Sequence, residues 1–157
     1  KQPTDNRTDF IKRVIGLPGD KIEMRRGVLY INDREVPRMR VDDFIENDAF
    51  GNVRRVPRYK ETLPNGVTYL TLDRIRDSVW DNVGPYQVPE GHYFMMGDNR
   101  DNSSDSRVAE SVGYVPFENL VGKAEIIFFS ADGSAALWQL WKWPSAIRWD
   151  RIGKWVE

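Results

Sequence analysis

Short apolar runs separated by residues that reverse the chain constrain this sequence more than any other feature. Phe10 to Leu17 is apolar on both alternating faces apart from Lys12 and Arg13, and Pro18-Gly19-Asp20 closes it, which predicts a strand buried on both sides. Pro18 suits the second position of a tight turn and Gly19 the third, where a positive φ is needed. Ile22–Met24 and Val28–Asn32 bracket Arg25-Arg26-Gly27 as a β-hairpin, with a further turn at Asn32-Asp33. Tyr59–Leu63 and Val67–Leu72 flank Pro64-Asn65-Gly66 as another hairpin. Val88-Pro89-Glu90-Gly91 turns into the short strand His92–Met96, and Tyr114-Val115-Pro116 leads to a last long strand over Leu120–Ser130. Helical periodicity is weak through these segments, so the sequence predicts a mainly antiparallel β fold.

Between the hairpins, Arg38 to Arg58 is richly charged with little two-residue alternation, which predicts a loop-rich excursion. Residues 38–87 are therefore expected as a small inserted β/loop subdomain, 1–37 and 88–132 as the β core, and 133–157 as a tail holding five of the six tryptophans. With 157 residues, 40% of them hydrophobic, the chain is long enough to bury one core.

Composition removes several function classes. A net charge of −1 provides no field for nucleic acid. The absence of cysteine removes disulfides, thiolate metal sites and thiol nucleophiles. His92 is the single histidine, and no G-x-S-x-G or H-E-x-x-H pattern accompanies it, so it reads as a strand or surface residue. The longest apolar run, around Ile126–Phe129, falls far short of the ~20 residues of a membrane span. The opening Lys1-Gln2-Pro3 is neither an initiator methionine nor a leader, and on this ground the chain reads as an internal piece of something longer.

Two segments carry candidate chemistry. In Phe10-Ile11-Lys12-Arg13-Val14, alternation places Lys12 on the face of Phe10 and Val14. Apolar neighbours strip hydration from a lysine and lower its pKa, and a neutral amine can accept a proton from a hydroxyl. The competing reading is a lysine guarding a sheet edge against aggregation. In Gly97-Asp98-Asn99-Arg100-Asp101-Asn102-Ser103-Ser104-Asp105-Ser106-Arg107, the density of Asx and Ser side chains suits a self-bonded, rigid turn. A calcium loop fails in detail: Arg100 puts a cation where the second ligand should stand, and Ser103 replaces the glycine needed at the sixth position from Asp98. Asp105 and Arg107 are candidate partners within the loop.

These two strings, in this order, closely resemble the motifs of bacterial type I signal peptidases, where the lysine-bearing box reads much like KRVIGLPGD and the later one like GDNRDNSxDSR. The likeness continues through Tyr114-Val115-Pro116, Asn119-Leu120-Val121-Gly122 and Ala124. It implies an antiparallel β catalytic core and a Ser/Lys protease that releases secreted proteins by cutting their signal peptides after small-x-small sites. Carried over by position, Lys12 is the general base and Ser103 the hydroxyl that orients its amine. Asp105 with Arg107, and Asp98 with Arg13, match supporting ion pairs. Asp9, Phe10 and Ile11 match the strand on which the signal peptide lies extended, Ile11 lining pockets for small residues. The resemblance implies no metal and no organic cofactor. It places the catalytic region on the periplasmic side of the bacterial cytoplasmic membrane, with signal peptides of preproteins as partners. The Trp-rich tail either touches a membrane surface, which its tryptophans with Lys142, Arg148, Arg151 and Lys154 suit, or completes the core.

One departure is large. The family carries membrane segments and a nucleophilic serine in a Ser-Met-x-Pro motif ahead of the lysine box, and none of the eight serines here has that setting. The chain is accordingly expected to hold a base without its nucleophile and to be inert alone. Rival readings are a relative with the same dyad, such as a conjugative-transfer peptidase or the self-cleaving domain of SOS-response repressors, and a noncatalytic β module that binds a peptide or calcium.

Overall fold

A computed structural model describes residues 1–47, 52–126 and 147–155. The described residues form ten strands: β1 (Arg13–Gly16), β2 (Lys21–Arg25), β3 (Val28–Ile31), β4 (Arg34–Glu35), β5 (Arg38–Asn47), β6 (Val53–Thr62), β7 (Thr68–Leu72), β8 (Val83–Gln87), β9 (His92–Met96) and β10 (Val115–Pro116). The fold is mainly β, and among the described residues helix is confined to single 3₁₀ turns such as Arg100–Asn102. The chain divides into two compact units, Lys1–Phe44 with Val56–Gly122, and Ile45–Arg55 with Lys123–Glu157.

In the first unit, turn chemistry sets the pairing. Leu17 O accepts from Asp20 N at 3.0 Å across Pro18-Gly19. Arg26 and Gly27 both hold positive φ, 51° and 76°, the handedness that matches strand twist, and β2 pairs with β3 from Ile22↔Ile31 to Arg25↔Val28. Asn32 and Asp33 repeat the device, and β3 pairs with β4. One sheet runs β4-β3-β2-β8, a second β1-β9-β10 and a third β5-β6-β7.

The core lies between the apolar faces of these short strands: Ile15 of β1, Ile22 and Met24 of β2, Leu29 and Ile31 of β3, Phe94 and Met96 of β9, closed by Val36, Leu63, Tyr69 and Val88. Burial of each large side chain contributes about 1.5–3 kcal/mol. Phe94 is fully buried and its ring lies 5.0 Å from that of Tyr86. Gly16 permits the close approach of β1 to this core, since a Cβ there would stand 2.9 Å from Ile22 Cδ1 and 3.1 Å from Phe94 Cβ.

Three expectations differ from the structure. The strand expected over Phe10–Leu17 is shorter, Arg13–Gly16, and is buried only at Ile15 and Gly16; among the described residues β1 pairs with β9 alone. The stretch expected as a loop-rich excursion from Arg38 is the paired strands β5 and β6. Their charged side chains reach solvent or pair along their own strand, as Arg40 does with Asp43 on β5, so no apolar alternation marks them. The long strand expected from Leu120 is absent over residues 120–125, and its remainder from 127 lies outside the described residues. Within the second unit, Ile126 forms an isolated antiparallel bridge with Trp155. Strand β8, inside the stretch expected as an insertion, pairs with β2 in the core sheet. Trp138, Trp141 and Trp143 of the tail lie outside the described residues, while Trp149 and Trp155 are exposed. No helix among the described residues is long and apolar enough to cross a membrane.

Candidate active site

Pairing of β1 with β9 brings the two candidate segments together. Arg13 lies opposite Met96, so Lys12, the residue before β1, faces the start of the Gly97–Arg107 loop that leaves β9. The Lys12 amine donates to Ser103 Oγ at 3.0 Å and sits 5.3 Å from the centre of the Phe10 ring. Both partners are half-buried. Gly97 makes room for the pair: a Cβ there would stand 2.6 Å from Ser103 Cβ and 3.6 Å from Lys12 Nζ.

The loop is held from inside. Asp105 is fully buried, and its carboxylate accepts from Gly97 N at 3.0 Å and from Arg107 Nε and Nη2, both at 2.8 Å. Burial works to raise the Asp105 pKa, and the Arg107 bonds outweigh it and hold the carboxyl below its usual range. Arg107 also donates to Arg100 O at 2.5 Å, and Ser106 exchanges two bonds with the backbone of Met95. Ahead of the loop, Arg13 forms a bidentate pair with Asp98, at 2.9 Å for each bond.

A second buried group lies beneath the loop. Register pairs Glu61 of β6 with Tyr69 of β7, and the Tyr69 hydroxyl donates to Glu61 Oε2 at 2.9 Å. Arg100 reaches the same carboxylate with both terminal nitrogens, at 3.1 and 2.5 Å. Burial, followed by the Glu61 charge, pushes the Tyr69 pKa up, so the phenol keeps its proton and remains a donor. Burial works against the Arg100 charge, and the Glu61 carboxylate outweighs it and pushes the guanidinium pKa up.

Of the residues expected at the site, Lys12, Arg13, Asp98, Ser103, Asp105 and Arg107 converge here. Asp9, Phe10 and Ile11 precede β1 and are exposed, Ile11 at 83%. His92 is half-buried on β9, with Nδ1 2.9 Å from Glu90 O. No group of three or more metal-ligating side chains occurs among the described residues. Sequence reasoning missed Glu61 and Tyr69, since no local pattern marks a glutamate whose partner is an arginine 39 residues away. Chemically, a neutral lysine amine that gives one N–H to Ser103 keeps its lone pair for a proton from another group.

Residues 1–129 match the model of the signal peptidase family, peptidase S26, and the chain belongs to that family. It is 46% identical over 136 residues to signal peptidase I of Rickettsia typhi, covering 83% of this chain and 49% of that protein. With signal peptidase I of Rickettsia bellii strain OSU 85-389 it shares 38% identity over 167 residues, covering 97% of this chain and 56% of the relative. The chain thus spans about half the length of these relatives. A crystal structure of a signal peptidase I from Enterococcus faecalis aligns with a TM-score of 0.37 at 28% identity, covering 71% of this chain and 78% of that one.

Proposed function

We propose that this chain carries the general base and supporting scaffold of a type I signal peptidase that cuts preproteins after small-x-small sites. The observation that carries the reading is the 3.0 Å bond from the Lys12 amine to Ser103 Oγ. With Ser103 holding the amine in place, Lys12 takes the proton of a nucleophilic serine hydroxyl as its oxygen attacks the scissile carbonyl. The protonated amine then gives that proton to the departing amine, and a water activated the same way releases the acyl group. The nucleophile in this reading is a serine in a Ser-Met-x-Pro setting, which these 157 residues do not contain, so they do not turn over substrate by themselves. Neither a metal nor an organic cofactor takes part.

Substrate lies extended along the exposed Asp9, Phe10 and Ile11, just ahead of β1, in the manner of an added strand. The catalytic face stands on the periplasmic side of the cytoplasmic membrane. Trp149 and Trp155, 64% and 68% exposed, suit a bilayer interface, and contact of the tail with that surface belongs to the same reading. The test is cleavage of a preprotein with alanine at both small positions by the full-length protein in detergent micelles. Lys12→Met should abolish cleavage while circular dichroism stays unchanged. A Lys12→Met protein that cuts at the parent rate would refute the assignment.

A further inference from the structure

The catalytic reading uses Lys12 and the Gly97–Arg107 loop but gives no role to the buried ionic group beneath them. Glu61 is 1% exposed and Arg100 6%, and every oxygen of the Glu61 carboxylate is engaged: Oε1 by Arg100 Nη1 at 3.1 Å and Thr71 Oγ1 at 3.3 Å, Oε2 by Arg100 Nη2 at 2.5 Å and the Tyr69 hydroxyl at 2.9 Å. A buried pair of this kind is weak evidence of stabilisation, because desolvation of two charges offsets their attraction, whereas such pairs can fix one arrangement against others. What matters is which segments this pair joins.

Arg100 opens the turn that presents Ser103, three residues on, and its carbonyl is gripped by Arg107 at 2.5 Å. Tyr69, bonded to the same carboxylate, lays its ring 4.1 Å from the guanidinium carbon of Arg13, the residue next to Lys12. Backbone bonds tie the same regions: Leu72 N donates to Asp98 O at 2.8 Å, and Asp101 accepts from Arg74 N and Ile75 N at 2.6 and 2.9 Å. From one carboxylate, therefore, one arm reaches the segment bearing the amine and the other reaches the segment bearing the hydroxyl.

We infer that Glu61 is a positioning residue, which through Arg100 and Tyr69 sets the Lys12 amine against Ser103; this rests on the reading of Lys12 as the general base. β6 and β7 are thereby part of the catalytic apparatus and more than a decoration on it. A displacement of about 1 Å at the reacting groups can cost on the order of 100-fold in rate. Loss of the Glu61 charge leaves substrate contacts just ahead of β1 in place, so the loss falls on turnover rather than on binding.

The experiment measures kcat and KM for preprotein cleavage by the full-length protein in detergent micelles, comparing parent, Glu61→Gln, Tyr69→Phe and Lys12→Met, each normalised to its folded fraction by circular dichroism. Glu61→Gln should lower kcat on the order of 10- to 100-fold with KM within about twofold of the parent, and Tyr69→Phe should show the same split with a smaller loss. If Glu61→Gln does not fold, Tyr69→Phe decides, because it removes one hydroxyl and keeps the ring over Arg13. The inference is overturned if both folded variants keep the parent kcat, or if the loss merely tracks the folded fraction. Lys12→Met separates the two levels. Parent-like cleavage by that variant sinks the base reading itself, whereas its inactivity beside parent kcat in the Glu61 and Tyr69 variants sinks the positioning role alone.

Discussion

Lys12 and Ser103 stand 91 residues apart in the chain and 3.0 Å apart in space, amine to hydroxyl oxygen. Neither residue belongs to a strand: one immediately precedes β1 and the other follows the 3₁₀ turn after β9. Their meeting is set by the pairing of β1 with β9 and by the bonds that fix the loop.

Ser103→Ala in the full-length protein should lower kcat on the order of 10- to 100-fold by releasing the amine from its acceptor. Stability should change by no more than about 0.5 kcal/mol, since Ser103 is only half-buried. Steady-state kinetics with urea unfolding checks both. Parent kcat in the variant would remove Ser103 from the site.

Gly97→Ala should be worse for activity than for folding. The added methyl meets Ser103 Cβ at 2.6 Å, so either the hydroxyl or the backbone must shift. Overpacking of this kind costs about 1–3 kcal/mol, and the shift falls on the atom that Lys12 uses. Cleavage assays and thermal melts on one preparation decide, and full activity would show that the site yields without penalty.

Asp105→Asn should destabilise the fold by about 3–5 kcal/mol, because it leaves the Arg107 charge buried without its partner. The same carboxyl sets a pH dependence. Its folded pKa lies below the ordinary 3.8, so the unfolded chain takes up the proton first on acidification. The stabilisation is complete well above pH 3.8 and drains away as pH falls through the folded value. The gap between the urea midpoints of parent and Asp105→Asn should therefore narrow as pH falls from about 7 toward 3. Parallel curves would assign the acid sensitivity to other carboxylates.

Asp98→Asn offers the contrasting case. Its side chain is 45% exposed, and an ion pair open to water contributes only about 0–1 kcal/mol. The urea midpoint should scarcely move, and a loss as large as that at Asp105 would mean that the Arg13 pair is shielded far more than its exposure indicates.

The hairpins were legible because their turns are chemically explicit: Arg26-Gly27 and Asn32-Asp33 take positive φ, and Pro64-Asn65-Gly66 joins β6 to β7 as its residues suggest. Ion pairs inside the loop were legible from charge spacing and likeness to the family. The β5–β6 ribbon was not, since its charges occupy both faces and erase the period of two. Leu120–Glu125 shows the opposite failure, an apolar-looking run that stays exposed without a ladder. Glu61 was invisible because its burial depends on Arg100 and Tyr69, which sequence places far away. Arg100 itself was read only as the cation that spoils a calcium loop, and that same charge is what ties the loop to β6.

The separation of Lys12 from Ser103 also bears on when the pair can form. Closing a flexible loop of this length costs about 4 kcal/mol of chain entropy, while one hydrogen bond returns about 1 kcal/mol net. The pair cannot hold itself together, and it exists only after the sheets have closed around it. A half-folded chain therefore holds a solvated lysine and a wandering serine, harmless to its neighbours. The Lys12–Ser103 bond forms at the end of assembly, and its appearance reports that the β core around it is complete.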